Sequence, residues 1–160
     1  MELTQERVRE VLDYDDGILR WKKRISRRGV LGKEPGGTNP GGYKFFMLDG
    51  RTRLAHRVIF LWHHGYMPKE IDHADGNKLN NRIENLRPST KSENCCNRHM
   101  RSDNKSGFKG VYWHKDSGKW RAEIGFRGKK TQLGAFACPE DAAKAYAVAA
   151  LQLHGDFVRL

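Results

Sequence analysis

The chain has 160 residues, which is enough for one ordinary domain or two small ones. Lysine and arginine together number 30 against 19 acidic residues, so the formal net charge is +11 and a polyanion is the expected partner. No apolar run approaches the ~18 residues that a membrane helix needs, so no membrane partner is expected.

The first half of the chain predicts several short elements joined by long loops. In chain order, the predicted elements are a helix over 5–13, a strand over 17–23, a hairpin of 43–48 and 51–54, a helix over 55–64, an extended segment at 70–73 and a helix over 90–99. The loop at 25–42 is rich in glycine, and the stretch 77–86 is polar and rich in asparagine. Long ordered loops of this kind often carry function.

A change of pattern near residues 101–106 predicts a linker between a first domain, 1–100, and a second, 107–160. Strands are predicted at 107–113, 120–126 and 131–136, with turns between them. A helix then runs from Pro139, a residue suited to a first helical turn, to about residue 154. The predicted fold class is α+β, and its second domain is a small three-stranded antiparallel sheet packed on one helix.

The excess of basic residues is unevenly distributed along the chain. Residues 97–135 carry a net charge of +7, residues 1–96 a net of +5 and residues 136–160 a net of −1. A dense basic cluster stands near the start, at Arg20, Lys22, Lys23, Arg24, Arg27 and Arg28. A solvated face is the ordinary explanation of such a cluster, but its interleaving with aromatic residues favours a grip on nucleic-acid phosphates.

The most specific segment of the chain begins at Ile71-Asp72-His73 and continues through Asn85 to Asn94. A carboxylate beside an imidazole brings together an oxygen ligand for a hard cation and a base that works at neutral pH. Hydrolysis of a phosphodiester needs those parts, namely an activated water and a metal ion that stabilises the leaving oxygen. Neighbours on a strand point to opposite faces, so Asp72 and His73 serve one site only if the strand ends or bends there.

These residues resemble the HNH nucleases, the ββα-metal group, and their wider context resembles the HNH homing endonucleases of phages and introns. The resemblance covers roughly residues 15–98 and includes the segments Gly17–Trp21, Leu54–Val58, Asn80–Arg87 and Ser92–Asn94. It implies a ββα-metal domain that cuts double-stranded DNA with one divalent cation, Mg²⁺ or Mn²⁺. No obligatory protein partner is indicated.

The resemblance also implies a role for each site residue. His73 is the general base, Asp72 and Asn94 hold the cation at the scissile phosphate, and Asn85 orients the loop that carries His73. Many members of the group have a second histidine where this chain has Asn94, which makes a metal bound only by histidines unexpected.

Three further considerations bear on this interpretation. A DNA-binding regulator with an inactive HNH motif is the main alternative, because composition does not separate the two. Structural zinc at Cys95, Cys96 and His99 is a weak alternative, since the Cys-x₂-Cys spacing is absent. The first residues lack the basic and apolar pattern of a secretory signal, and the number of cysteines is odd. Both features favour an intracellular protein, in the cytoplasm of a bacterial host if a phage encodes it.

Residues from about 106 onward resemble a second family, the apetala-two/ethylene-response-factor DNA-binding domain. The resemblance rests on Ser106–Val111, Lys119–Ile124, Leu133–Phe136 and the alanine-rich segment that begins at Glu140. It implies a sheet that lies in the major groove, a groove wide enough for a β-ribbon.

The predicted DNA contacts come from both domains, and Arg121 is the first choice for a base contact because arginine pairs bidentately with guanine. The full set is Arg20, Lys22, Lys23, Arg24, Arg98, Lys109, Trp113, Lys115, Lys119, Arg121, Arg127 and Lys130.

Overall fold

The structure is a computed structural model that describes residues 2–25, 29–97, 100, 103–126 and 128–158. The chain divides into two compact units, residues 1–89 and 90–160. Among the described residues, none of the helices is long and apolar enough to cross a membrane. The linker predicted at 101–106 lies inside the second of these units, so the contact boundary precedes the predicted one.

The first unit begins with helix α1, Gln5–Val11, whose N-terminus is capped by Thr4. The chain then enters a hairpin of strands β1, Leu12–Asp15, and β2, Ile18–Trp21. The helix is shorter than the predicted 5–13 because Leu12 leaves the helix to pair with Trp21 across the hairpin. Asp16 and Gly17 form its two-residue turn with φ values of 45° and 91°, the positive angles that a tight hairpin turn requires.

The middle of the first unit is a three-stranded sheet followed by a helix. Strands β3, Gly37–Thr38, β4, Lys44–Leu48, and β5, Arg51–Leu54, pair antiparallel in that order. Helix α2, Ala55–His64, follows directly and ends at Gly65, which has a φ of 75°. The hairpin and the helix were both predicted from the sequence, and the structure confirms them.

The core of the first unit forms where α1, the β1–β2 hairpin, the sheet and α2 meet. Its fully buried side chains are Val8, Val11, Leu12, Leu19, Leu48, Val58, Ile59 and Phe60. Burial of so many large apolar side chains, at about 25 cal/mol per Å², gives this unit a core of its own. The three-residue apolar run Val58–Phe60 places α2 in the centre of it.

The first unit closes with strand β6, Glu70–His73, paired antiparallel with strand β7, Leu86–Ser89. Between them, residues 74–85 form a loop that ends in a single 3₁₀ turn, Ile83–Asn85. Strand β7 was not predicted, because Pro88 lacks the N–H that a ladder uses. Pro88 is tolerated because β6 and β7 form a two-stranded sheet, in which β7 is an edge strand.

The second unit begins with helix α3, Lys91–Cys96, and continues to a three-stranded sheet and a long helix. The strands are β8, Val111–His114, β9, Lys119–Phe126, and β10, Lys129–Phe136, in the order β10-β9-β8. Helix α4, Pro139–His154, packs on one face of this sheet. The predicted α+β architecture of three strands and one helix is confirmed.

The helix lies close to the sheet because the residues between them are small. Ala142 and Ala150 of α4 and Ala122 of β9 are buried. Gly110 lies against the ring of Tyr146, so that a Cβ at position 110 would come within 2.2 Å of it. This packing turns one face of the sheet toward α4 and leaves the other face exposed.

Candidate functional site

His73 occupies the last position of β6, and the chain turns immediately after it at Ala74 and Asp75. The strand therefore continues through both Asp72 and His73, which pair with Arg87 and Leu86, and ends only after them. Asp72 and His73 are both 4% exposed, and strand geometry directs their side chains to opposite faces. Each side chain consequently has its own set of neighbours.

The imidazole of His73 lies against an amide and two aromatic rings. Its Nε2 atom is 3.0 Å from Oδ1 of Asn81, which is also buried. The rings of His56 and Tyr43 lie with their centroids 5.1 and 6.1 Å from that of His73. These neighbours hold the ring in one orientation.

His56 belongs to α2 and is buried at 5% exposure. Its burial lowers the pKa of His56 to about 3, and the neighbouring His73 and Arg57 act in the same direction. His56 is therefore a neutral ring at physiological pH, and it packs edge-on against His73 without adding a charge beside it.

Asp72 is paired with Arg87 on the neighbouring strand. The Oδ2 atom of Asp72 accepts hydrogen bonds from Nε of Arg87 at 3.0 Å and from Nη2 at 2.7 Å. The register places the two residues directly opposite each other in the β6–β7 ladder. A buried carboxylate needs such compensation, and here a guanidinium supplies it.

The loop between β6 and β7 is organised around Asp75. Its carboxylate accepts hydrogen bonds from Nδ2 of Asn80 at 2.7 Å, from Nδ2 of Asn85 at 2.9 Å and from the backbone N–H of Asn77 at 2.8 Å. Partial burial opposes ionisation of Asp75, but these hydrogen bonds and the proximity of His73 outweigh it and lower the pKa of the carboxyl.

Asn85 fastens both ends of this loop. Its Nδ2 atom also donates to the carbonyl of Asn80 at 2.8 Å, while its Oδ1 atom accepts from the backbone N–H of Asp75 at 3.0 Å. Its own carbonyl accepts from the N–H of Ala74 at 2.9 Å. Ala74, the residue after His73, is thus hydrogen-bonded to Asn85.

Asn94, the second predicted cation ligand, lies on α3 in the second unit, where its side chain is partly buried. The start of this helix is held by a capping box in which Thr90 and Glu93 exchange hydrogen bonds of 2.7 and 3.2 Å. A carboxylate and an amide oxygen are the hard donors that Mg²⁺ and Mn²⁺ take, so the chemistry of Asp72 and Asn94 fits such a cation.

The weak zinc alternative concerns residues that are described only in part. His99 lies outside the described residues, and the side chains of Cys95 and Cys96 are likewise not described. Within the part of the chain that is described, no three histidine, cysteine or acidic side chains cluster as a metal site would require.

The basic residues predicted to grip phosphates in the first unit are mostly matched by acids. The pairs are Arg20 with Asp15 at 3.2 Å, Lys22 with Asp13 at 3.4 Å, and Lys23 with Glu10 at 2.9 Å. Arg24 is exposed, and Arg27 and Arg28 lie outside the described residues. Exposed pairs of this kind are weak, so a phosphate can compete for each base.

In the second unit, strand alternation sorts the predicted DNA contacts onto two faces. Lys119 and Arg121 lie on the face of β9 opposite α4, in phase with Tyr112 of β8. Lys130 shares this face through an ion pair of 3.0 Å with Glu123. We call this exposed side the outer face.

The other candidates of the second unit lie elsewhere. Trp113 has the opposite phase to Tyr112, and its ring contacts Trp120 at a centroid distance of 5.3 Å while remaining 48% exposed. Lys109 lies beside α4, where its charge adds to burial in lowering the pKa of His154. Lys115 is exposed in the β8–β9 turn, and Arg98 and Arg127 lie outside the described residues.

Three residues of interest were missed at the level of sequence. Asn81 and Arg87 contact the two central side chains, His73 and Asp72, yet each stands in a stretch with no periodic pattern. Tyr112 lies on the outer face directly opposite Arg121. Strict application of strand alternation to β8 would have identified Tyr112, whereas only the folded loop reveals Asn81.

Comparison with known proteins places these features in two families. Residues 53–95 match the family model described as HNH endonuclease, and residues 106–156 match the AP2 domain. The chain is 36% identical over 111 residues to Protein 3.8 of Escherichia phage T7, which covers 67% of this chain and 91% of that protein. It is 33% identical over 118 residues to an uncharacterized HNH endonuclease of Acanthamoeba polyphaga mimivirus, covering 72% of this chain and 60% of that protein. No solved structure matches significantly.

Proposed function

The chain belongs to the HNH endonuclease family and carries an AP2 domain, and from that premise we propose that it is a site-directed DNA endonuclease of the homing type. It would hydrolyse phosphodiester bonds of double-stranded DNA inside a host cell, the cytoplasm of a bacterium if a phage encodes it. The observation that carries the proposal is the buried His73 at the end of β6, beside Asp72 and within the matched HNH segment.

His73 is the proposed general base. A histidine in this role takes a proton from the attacking water, a contribution of about 10²- to 10⁴-fold to the rate. The rigid surroundings of the ring support this role, because proton transfer needs a fixed geometry. Asn85 would serve that geometry indirectly by holding the turn that follows His73.

Asp72 and Asn94 are the proposed ligands of one divalent cation, Mg²⁺ or Mn²⁺. When bound, such a cation supplies positive charge that stabilises the leaving oxygen of the cleaved phosphodiester. The carboxylate of Asp72 is prepared for this task, since two hydrogen bonds from Arg87 orient it inside the fold. Arg87 also places a guanidinium, a good phosphate partner, next to the proposed ligand.

The AP2 domain is the proposed source of additional DNA affinity and of positioning on the DNA. Lys119 and Lys130 would contact phosphates from the outer face, and Arg121 would read a guanine edge in the major groove. Tyr112 extends this surface beside Arg121. Contacts from the remaining predicted residues, namely Arg20, Lys22, Lys23, Arg24, Arg98, Lys109, Trp113, Lys115 and Arg127, would add to it.

Cleavage of a plasmid library with a randomised insert tests the proposal, with the products sequenced on both strands. The wild type should cut a defined set of sites when Mg²⁺ or Mn²⁺ is present and should stop when EDTA removes the cation. His73→Ala should lower the rate by about 10²- to 10⁴-fold. His64→Ala, at an exposed histidine of α2, is the matched control and should cut normally. Undiminished cutting by His73→Ala would overturn the base assignment.

A DNA-binding regulator with an inactive HNH motif is the second candidate. It is favoured by the pairing of Asp72 with Arg87, because a carboxylate that is already neutralised can fold without a cation. The same library decides between the two functions. Selective binding of one set of sites, with none of them cut under any cation, would establish the regulator.

A further inference from the structure

We propose that Asn81 is the positioning residue of His73, and that the Asp16–Gly17 turn of the β1–β2 hairpin holds Asn81 in place. This inference rests on the proposed function, in which His73 is the general base. It assigns a task in the reaction to a hairpin that begins 61 positions before His73 in the chain.

The contact between Asn81 and His73 defines which ring nitrogen is the base. The Oδ1 atom of an amide only accepts hydrogen bonds, so the Nε2 atom of His73, 3.0 Å away, must carry the proton. The lone pair is then on Nδ1, and Nδ1 is the atom that receives the proton of water. Both partners are buried, so water does not compete for this hydrogen bond.

The backbone at Asn81 and Arg82 packs directly against the turn of the β1–β2 hairpin. A Cβ at position 17 would lie 2.9 Å from the backbone nitrogen of Arg82 and 3.1 Å from the carbonyl carbon of Asn81. Position 17 therefore requires glycine for two reasons. Its φ is 91°, and a side chain there would clash with the backbone of residues 81 and 82. The loop between β6 and β7 thus contacts the Asp16–Gly17 turn at Asn81, the residue that positions His73.

Two polar contacts flank this close approach. Arg82 donates from Nη2 to Oδ2 of Asp16 at 2.5 Å, and the hydroxyl of Tyr14 accepts from the backbone N–H of Ile83 at 3.1 Å. The hairpin thus contacts residues 81, 82 and 83 in succession. A short peptide segment that is hydrogen-bonded at residues 82 and 83 and packed against Gly17 at residue 81 has little freedom to move Asn81 away from His73.

The chain contains its own control for the role of Gly17. The β4–β5 hairpin turns at Asp49 and Gly50 with φ values of 51° and 72°, the same kind of turn with the same residue types. A Cβ at position 50 would meet no atom within 4 Å. Alanine at either position therefore meets the same unfavourable φ, and only alanine at position 17 displaces the loop.

The first test observes the imidazole directly in the full-length protein without metal or DNA. Nitrogen-15 labelled histidine and two-dimensional NMR report which ring nitrogen is protonated, and His73→Ala identifies the signal among the seven histidines. The wild type should show a slowly exchanging proton on Nε2 of His73. Asn81→Leu should lose that protection, and Asn81→Asp, which keeps an oxygen acceptor, should retain it.

The second test measures cleavage of a duplex that the wild type cuts. Asn81→Leu and Gly17→Ala should each lower kcat by about 10- to 100-fold, the usual cost of losing a partner that orients a reactive group, with KM for DNA within about twofold. Asn81→Asp should restore most of the rate. Gly50→Ala should cleave as the wild type does.

The outcomes separate this inference from the proposed function. A proton on Nδ1 of His73, or unchanged kcat in both Asn81→Leu and Gly17→Ala, would overturn the inference while leaving His73 as the base. A protected Nε2 proton that responds to Asn81 as expected, in a protein whose His73→Ala variant still cuts fully, would retain the contact but refute the proposed function.

Discussion

Arg87 grips the Oδ2 atom of Asp72 with two hydrogen bonds, of 3.0 and 2.7 Å, across the β6–β7 ladder. The carboxylate side chain is only 5% exposed and the guanidinium side chain 22% exposed. Removing one partner of such a pair leaves an uncompensated charge inside the protein. The pair is therefore both a structural contact and the setting of the proposed cation ligand.

Arg87→Met should lower the free energy of unfolding by about 3 kcal/mol in the presence of EDTA, because the buried Asp72 then loses both hydrogen bonds from the guanidinium. Addition of Mg²⁺ should return part of that stability if Asp72 is a cation ligand, since a ligand that binds only the folded state stabilises it. Urea unfolding with and without Mg²⁺ measures both effects. Asp72→Asn with Arg87→Met is the control, in which Mg²⁺ should have no effect.

If Arg87→Met unfolds at the wild-type urea concentration in EDTA, the pair contributes nothing to stability. If Mg²⁺ leaves the stability of Arg87→Met unchanged at saturating concentration, Asp72 is not a cation ligand in the absence of DNA.

Asn85→Ala should disorder the loop between β6 and β7 and lower kcat for cleavage by about 10-fold or more, because its side chain makes three of the hydrogen bonds that fix the turn after His73. Amide hydrogen exchange at Asp75 and Asn80 should speed up in the same variant. Asn104→Ala is a matched control, since Asn104 ties a loop of the second unit in the same manner. It should leave kcat unchanged, and equal loss of kcat in both variants would argue against a specific role for Asn85.

The sequence predicts those elements that local residue signals define, and it does not predict those that long-range contacts define. Helix α2 is bounded by Gly65 and helix α4 begins with Pro139, and such local signals predicted both elements correctly. Strand β7 escaped prediction because its pairing with β6, rather than its own residues, makes it a strand. The backbone of Asn81 approaches Gly17, some sixty residues away in the chain, and no local pattern reports a contact of that range.

The burial of His56 should make the stability of the protein depend on pH. Folding lowers the pKa of His56 from its ordinary 6.5 to about 3, so between these values the unfolded chain binds a proton that the folded chain does not. This stabilising contribution is complete above pH 6.5 and is lost progressively as the pH falls toward 3. The loss is at most ~1.4 kcal/mol per pH unit for one proton.

Urea unfolding at several pH values between 7.5 and 4 tests this expectation. His56→Gln should show a shallower decline in the free energy of unfolding than the wild type below pH 6. His64→Gln, at an exposed histidine of the same helix, should follow the wild type. Parallel curves for wild type and His56→Gln would show that His56 does not titrate on unfolding.

The outer face of the second unit should account for much of the salt dependence of DNA binding. Each phosphate contact by a lysine releases about 0.9 of a counterion, so Lys119→Ala and Lys130→Ala should each reduce the slope of log Kd against log salt concentration by about 1. Lys144→Ala removes the same charge from α4, which packs against the other face of the sheet, and should leave the slope unchanged. Fluorescence anisotropy of the full-length protein on a labelled duplex, from about 50 to 200 mM salt, measures all three slopes.

Lys130 must first leave Glu123, so a smaller change for Lys130→Ala than for Lys119→Ala remains consistent with binding through this face. An effect of Lys144→Ala equal to that of Lys119→Ala would instead indicate that only net charge matters, and that the outer face has no special role.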